Sequence, residues 1–108
     1  RQVQRQSGGE GLHHLVAGGE TTWHAYASHV IALARELAPD GIRVNAVRPG
    51  VVDTGIHADS PEQMQRRMQG IPLRRMAAPE EIAQAIVWLA SPAASYVTGL
   101  LMDVSGGR

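Results

Sequence analysis

The sequence predicts an α/β fold in which a helix, a strand, a lid helix, another helix and a second strand follow one another. Three observations favour this fold class. Apolar residues recur at helical spacing in residues 24–38 and 79–91, residues 41–48 alternate as a strand does, and residues 100–104 form a short apolar run of strand length. Helices that alternate with such strands are typical of a parallel sheet.

Residues 1–23 precede these elements and hold five of the twelve glycines. We expect a poorly structured segment, a loop with one short helical turn, followed by the structured domain at residues 24–108. Gly9 and Gly11 form a G-x-G, but no third glycine follows at the required place and no strand is predicted before it. A dinucleotide-binding loop is therefore not predicted in this segment.

The first helix is predicted from His24 to Ala38. Its apolar residues lie at positions i, i+3, i+4 and i+7, which places them on one stripe: Val30, Leu33, Ala34 and Leu37. Pro39 ends the helix, because the residue before a proline is disfavoured in the helical conformation. Asp40 and Gly41 then form the turn into the strand.

The stretch from Gly41 to Thr54 is predicted to be a strand that stops at a place suited to a ligand. Pro49 removes a backbone donor and Gly50 removes a side chain, so the ladder ends there and the main chain can come close to another molecule. Ligands in open α/β sheets bind outside the carboxyl ends of strands. A strand followed by an ordinary tight turn is the alternative at this point.

The second helix is predicted to begin after Ser60 and to end at Gly70. Ser60 and Gln63 have the spacing of a capping box, and Pro61 suits the first helical position. Two methionines four residues apart, Met64 and Met68, mark its apolar side. Such a short, methionine-lined helix suits either an adaptable lid over a pocket or a surface helix that rests on the core.

The third helix is predicted from Pro79 to Ser91, where Pro92 stops it. Glu80 and Glu81 lie in its first turn, where carboxylates favour the positive end of the helix dipole. Its apolar stripe is broad and implies burial on more than one side. The second strand, residues 100–104, should pair in parallel with the first, with this helix as the crossover.

Composition excludes several function classes. The formal net charge is 0, so there is no electrostatic case for a nucleic-acid or membrane partner. The chain has no Cys, and its histidines lack the spacing of a metal site, so we predict no metal. All ten basic residues are Arg. No apolar run could span a bilayer and no signal peptide is visible, so we expect a cytoplasmic location.

Two segments closely resemble the C-terminal part of short-chain dehydrogenase/reductases, which are NAD(P)-dependent Rossmann-fold oxidoreductases. They are ALARELAPDGIRVNAVRPGVVDT and IPLRRMAAPEEIAQAIVWLASPAASYVTGLLMDVSGG, within Ala32 to Arg108. The resemblance implies the C-terminal portion of a Rossmann-like parallel sheet, with residues 41–48 and 100–104 as its sixth and seventh strands. Residues 53–78 would form the substrate loop.

The resemblance also implies where the cofactor, NAD or NADP, would lie. The segment from Pro49 and Gly50 to Thr54 would lie against the nicotinamide. The backbone of Val51 and Val52 would contact the carboxamide, and Thr54 would hydrogen-bond to the cofactor.

Other family motifs have no match in this sequence. The glycine-rich T-G-x-x-x-G-x-G loop and the N-N-A-G stretch are absent, so we expect the N-terminal nucleotide-binding half to be missing. The family's catalytic Tyr has a Lys four residues later, which lowers the Tyr pKa and holds the ribose. Counting without gaps puts these positions on Gly19 and Trp23. The alternative is a shortened Y-A-A-S-K block with Tyr26 as the catalytic candidate and His29 in the place of Lys.

Two functional hypotheses follow from the sequence. The first is oxidoreduction of a small-molecule alcohol or carbonyl substrate by a full-length parent of which this chain is the C-terminal part. The second is a non-catalytic remnant or oligomerisation module. In either case we expect a homo-oligomer, because the family's subunits assemble in part through surfaces that match residues 80–104.

Overall fold

The computed structural model describes residues 2–6, 14–18, 22–55 and 59–108. Its elements in chain order are β1 (Gln2–Gln6), β2 (His14–Gly18), α1 (Trp23–Leu37), β3 (Ala46–Pro49), α2 (Pro61–Gln69), α3 (Pro79–Ala90) and β4 (Leu101–Val104). Short 3₁₀ turns follow α1 at Ala38–Asp40 and α3 at Pro92–Ala94.

The first two strands form an antiparallel pair, with Gln2 opposite Gly18 and Gln6 opposite His14. The predicted loop with a helical turn is therefore wrong at these residues. A glycine-rich composition with one short apolar cluster indicates neither the pairing nor its register. The Gly9 and Gly11 motif lies outside the described residues, and the boundary between residues 23 and 24 stays a prediction.

Helix α1 begins one residue earlier than predicted, at Trp23, because Thr22 caps it. The Thr22 hydroxyl accepts a hydrogen bond from the Ala25 N–H at 3.1 Å. Val30 and Ala34 of the predicted stripe are buried. After the helix, Gly41 adopts a left-handed φ of 75°, which glycine tolerates best.

Strands β3 and β4 are parallel, with Ala46 opposite Leu101 and Pro49 opposite Val104, and α3 connects them. This confirms the predicted pairing. The hydrogen-bonded ladder nevertheless begins at Ala46, five residues after the predicted start of the strand. Before that point, side chains form the hydrogen bonds that backbone groups would form in a ladder. The amide of Asn45, for example, donates to the Val97 carbonyl at 2.9 Å and accepts from the Leu100 N–H at 2.9 Å.

The buried apolar residues of the described chain come from α1, α3 and the connections around them: Val30, Ala34, Ile71, Leu89 and Ala94. Several large apolar side chains of α3 are exposed instead, among them Val87 at 66% and Trp88 at 43%. None of the helices in the described ranges combines the length and apolarity needed to cross a membrane.

Candidate functional site

The main chain changes its pairing partner at the carboxyl end of β3. The Gly50 N–H still donates to the Val104 carbonyl of β4 at 3.0 Å. The Val51 carbonyl then accepts from the Ala77 N–H at 2.9 Å, and the Asp53 N–H donates to the Ala77 carbonyl at 2.9 Å. Residues 51–53 therefore leave β4 and pair with the connection that leads into α3.

Gly50 lies where the main chain comes closest to a neighbour. A Cβ atom built on Gly50 would lie 2.8 Å from the Ser105 Cα and 3.1 Å from the Ser105 Cβ, so no larger residue fits. The sequence suggested that this glycine permits close approach by another molecule. The structure shows that the close neighbour is Ser105 of the same chain.

The bridge between Val52 and Ala77 leaves one edge of Val52 without a partner among the described residues. In this parallel bridge, both hydrogen bonds of Ala77 go to the residues that flank Val52. Because successive peptide groups of an extended chain point to opposite sides, the Val52 N–H and C=O face away from Ala77. No group of residues 22–55 or 59–108 hydrogen-bonds to either. Val52 thus presents a donor and an acceptor side by side.

Two polar side chains follow this edge directly. Asp53 and Thr54 are both exposed, and neither side chain forms a hydrogen bond with the described residues. The next residue, Gly55, has a left-handed φ of 73° with open space around it. The Thr54 hydroxyl is therefore available to a ligand bound along Val52.

A bidentate ion pair holds the connection that carries Ala77. The Arg75 guanidinium donates to both Glu81 carboxylate oxygens, at 2.7 and 2.9 Å, and to the Met76 carbonyl at 3.2 Å. Glu81 also accepts from the Ala78 N–H at 2.9 Å, which caps the first turn of α3. Hydrogen bonds from Arg75 and then from the Ala78 backbone lower the pKa of Glu81 to about 2.

The second helix lies on the surface beyond this edge. The predicted capping box is present, since the Gln63 N–H donates to the Ser60 hydroxyl at 3.3 Å and the Ser60 N–H donates to the Gln63 side chain at 2.9 Å. Met64 and Met68 are half-buried and no residue of α2 is buried. Both interpretations of α2, as lid and as surface helix, are compatible with this exposure.

The segment after α2 is anchored on the turn that follows β4. Ile71 is 1% exposed, and the Leu73 N–H donates to the Gly106 carbonyl at 3.1 Å. A Cβ on Gly106, which has a φ of 68°, would lie 2.8 Å from the Ile71 Cγ2. The base of the α2 segment therefore packs directly against a glycine turn at the end of the second strand.

The predicted catalytic candidate, Tyr26, lies on α1 and stacks on Trp23 with ring centroids 5.3 Å apart. The Arg48 guanidinium lies 5.1 Å from the centroid of the Trp23 ring. No hydrogen bond within the described ranges joins Tyr26 to residues 49–54. Tyr26 thus connects to the end of β3 through aromatic contacts, and its catalytic role stays a prediction.

Arg48 is also paired with Asp103, its opposite residue in the β3–β4 register. The Arg48 Nε and a terminal nitrogen both donate to the Asp103 carboxylate, the latter at 2.6 Å. This hydrogen bonding lowers the pKa of Asp103. Sequence reasoning missed the pair because the two residues meet only once the strand register is known.

The described part of the chain contains no cluster of three or more His, Asp or Glu side chains that could hold a metal ion. The site is therefore characterised by its backbone edge at Val52 and by the exposed Thr54.

A family model described as enoyl-(acyl carrier protein) reductase matches residues 20–108. The chain is also 49% identical over 84 residues to the uncharacterised oxidoreductase YmfI of Bacillus subtilis, which covers 77% of this chain and 35% of the relative. The chain belongs to the short-chain dehydrogenase/reductase family. These matches confirm the resemblance of residues 32–108.

Other short-chain dehydrogenase/reductases agree in sequence and in fold. The chain is 43% identical over 94 residues to the 3-oxoacyl-(acyl-carrier-protein) reductase FabG of Thermotoga maritima, covering 82% of the chain and 38% of the relative. A solved 3-oxoacyl-(acyl-carrier protein) reductase from Brucella melitensis matches with a TM-score of 0.73 and 36% identity, covering 78% of this chain and 32% of that one. The chain thus spans about a third of the length of the relatives it matches, and its α/β unit is a fragment of the family's Rossmann fold.

Proposed function

We propose that this chain forms the nicotinamide side of the active site of an NAD(P)-dependent oxidoreductase that interconverts a hydroxyl and a carbonyl group on a small molecule. The complete enzyme would be a longer parent protein, because this chain spans about a third of the length of its relatives. The observation that carries the proposal is the N–H and C=O of Val52 at the carboxyl end of β3, with which no described residue pairs. This is where parallel α/β sheets bind ligands.

The residues at this edge fit the carboxamide of a nicotinamide ring. A primary carboxamide offers one acceptor and two donors, which complement the Val52 N–H and C=O. The Val51 carbonyl is already bonded to Ala77, so we assign the carboxamide to Val52 rather than to both valines. The exposed Thr54 hydroxyl would bind the cofactor beyond the ring, and Pro49 with Gly50 would fix the start of the edge.

When bound, the dinucleotide supplies or accepts the hydride. The sequence has no glycine-rich phosphate loop, so these residues would bind only the nicotinamide half of the dinucleotide. Tyr26 is the proposed general acid or base, since a phenol can transfer a proton to or from the substrate oxygen. We also propose that the protein is cytoplasmic.

Nicotinamide mononucleotide, which lacks the adenine half, tests the site directly. We expect its addition to shift the backbone amide resonances of residues 50–54, because the Val52 donor gains a partner. Titration followed by ¹H–¹⁵N correlation spectra measures this. A Thr54→Val variant, which keeps the shape and removes the hydroxyl, should weaken binding. Shifts confined to residues 8–11 would contradict the proposal.

A second candidate is a non-catalytic remnant or oligomerisation module. The observation that favours it is the absence of Lys, together with Trp23 at the position that ungapped counting assigns to the family's Lys. The Trp23 indole contacts Tyr26 and Arg48 and cannot supply a positive charge of its own.

Both candidates predict that the isolated chain is inactive. We expect no measurable oxidation of NADH or NADPH with a panel of ketones and sugars, because the phosphate loop and the Lys are missing. Absorbance at the reduced-nicotinamide band measures this, with a complete reductase of the family as the positive control. Turnover by the chain alone would show that Tyr26 or another residue supports catalysis without a Lys.

We also propose that the chain associates with itself. A two-stranded sheet is marginal in water, and the exposed apolar side chains of α3, among them Ile86, Val87 and Trp88, provide a surface for assembly. Size-exclusion chromatography with light scattering at micromolar concentration should give a species larger than one chain. A single sharp monomer peak with a cooperative thermal transition would overturn this expectation.

A further inference from the structure

The position of Val52 depends on a single residue of the opposite segment. Ala77 supplies both hydrogen bonds of the bridge, one from its N–H to the Val51 carbonyl and one from the Asp53 N–H to its C=O. The bridge is isolated and is not extended into a ladder. Whatever fixes the two peptide groups that flank Ala77 therefore fixes the unpaired edge of Val52.

The Arg75–Glu81 pair contacts both of these peptide groups. The Arg75 guanidinium donates to the Met76 carbonyl at 3.2 Å, and that carbonyl belongs to the same planar peptide as the Ala77 N–H. Glu81 accepts from the Ala78 N–H at 2.9 Å, which belongs to the same peptide as the Ala77 carbonyl. The two side chains are joined by two hydrogen bonds at 2.7 and 2.9 Å. One ion pair thus orients the donor and the acceptor that hold residues 51–53.

We propose that Arg75 and Glu81 are positioning residues of the cofactor site, which set the direction of the Val52 N–H and C=O through Ala77. This inference rests on the proposed function for its ligand, whereas the coupling from the ion pair to Val52 stands on the geometry alone. It assigns a site role to the connection before α3, which is distant along the chain from the edge it controls.

The solvent exposure of the Arg75–Glu81 pair distinguishes a positioning role from a merely structural one. The side chains of Arg75 and Glu81 are 56% and 40% exposed, and exposed ion pairs contribute little to overall stability. Breaking the pair should therefore loosen the bridge locally while the denaturation midpoint of the chain changes little. If the pair instead contributed to global stability, breaking it would accelerate hydrogen exchange at every protected amide by a similar factor.

Hydrogen exchange of the full 108-residue chain, read by mass spectrometry with electron-transfer fragmentation, tests the coupling in whatever assembly state the chain adopts. In Arg75→Gln we expect exchange at the Asp53 and Ala77 amides to accelerate about fivefold or more, as local opening becomes easier. The Gly50 amide, which donates to Val104, should change less than about twofold. Glu81→Gln should act in the same direction, and the double variant should be no faster than Arg75→Gln.

The chain contains a matched control. Arg48 and Asp103 form another bidentate arginine–carboxylate pair, which is also exposed but joins β3 to β4 and does not contact residues 76–78. Asp103→Asn should leave the Asp53 and Ala77 amides at their wild-type rates. Equal acceleration at Gly50 and Asp53 in Arg75→Gln would overturn the proposal, and so would no acceleration at all. A wild-type Asp53 amide that exchanges as fast as an unstructured chain would also overturn it.

Binding of nicotinamide mononucleotide separates this inference from the proposed function. If the wild-type chain does not bind the mononucleotide at residues 50–54, the proposed function fails and the exchange result still decides the coupling. If it binds, Arg75→Gln should weaken binding, because the peptide groups that set the direction of the Val52 N–H and C=O lose their hydrogen bonds in the closed state as well. Unchanged binding in a variant with faster exchange would show that the pair does not position the site.

Discussion

Truncating Ile71 to alanine should lower the free energy of unfolding by about 3 kcal/mol, within the range of roughly 2–5 kcal/mol for buried isoleucine. Ile71 is 1% exposed and is the largest fully buried side chain of the described residues. Its removal leaves a cavity where the segment after α2 packs on the turn after β4. A natural domain is stable by only about 5–15 kcal/mol, so this one change removes a large share.

Urea unfolding followed by tryptophan fluorescence measures the effect, at one fixed protein concentration because assembly shifts apparent stability. Leu73→Ala is the matched control, two residues further along the same segment. Leu73 is 62% exposed, so its truncation should cost less than about 1 kcal/mol. Equal midpoints for the two variants would mean that the packing around Ile71 does not support the fold.

Replacing Gly106 with alanine is expected to have an effect of similar size, about 2–5 kcal/mol. Two costs combine. A side chain at a φ of 68° costs about 1–2 kcal/mol, and the new Cβ would lie 2.8 Å from the Ile71 Cγ2, where overpacking costs about 1–3 kcal/mol. The same urea experiment measures the sum.

Gly41→Ala separates the two costs. Gly41 has a φ of 75°, and a Cβ added there would have no neighbour within 4 Å, so this variant should show the backbone cost alone. In an Ile71→Ala background, the Gly106→Ala variant should also lose its steric cost, because the Cγ2 is no longer there. A Gly106→Ala effect that is the same in both backgrounds would contradict the packing explanation.

The helices could be predicted from sequence because their signals are local. Ser60 and Gln63 form the capping box their spacing predicts, and Pro79 begins α3. The parallel pairing of β3 and β4 was predictable as well, since a helix between two strands permits few other arrangements. The start of β3 was not, because the side chain of Asn45 takes over the hydrogen bonds of the ladder.

The end of β3 was predicted, but the contacts around it were not. Pro49 and Gly50 indicate where β3 ends, yet Ser105, the residue that requires a glycine there, is distant in sequence. The bidentate pair between the exposed side chains of Arg75 and Glu81 was not predicted. The partner of residues 51–53 could not be predicted either, because a bridge to one residue, Ala77, carries no periodic signal.

The bridge between Val52 and Ala77 has a consequence for how this segment can change through evolution. It closes residues 53–76, including α2, into a loop with both ends held together. The entropy of closing a loop grows only with the logarithm of its length, and each doubling costs about 0.6 kcal/mol. Insertions and deletions around α2 therefore leave the backbone edge at Val52 nearly unaffected, so this loop can diverge while the edge proposed to face the cofactor is retained.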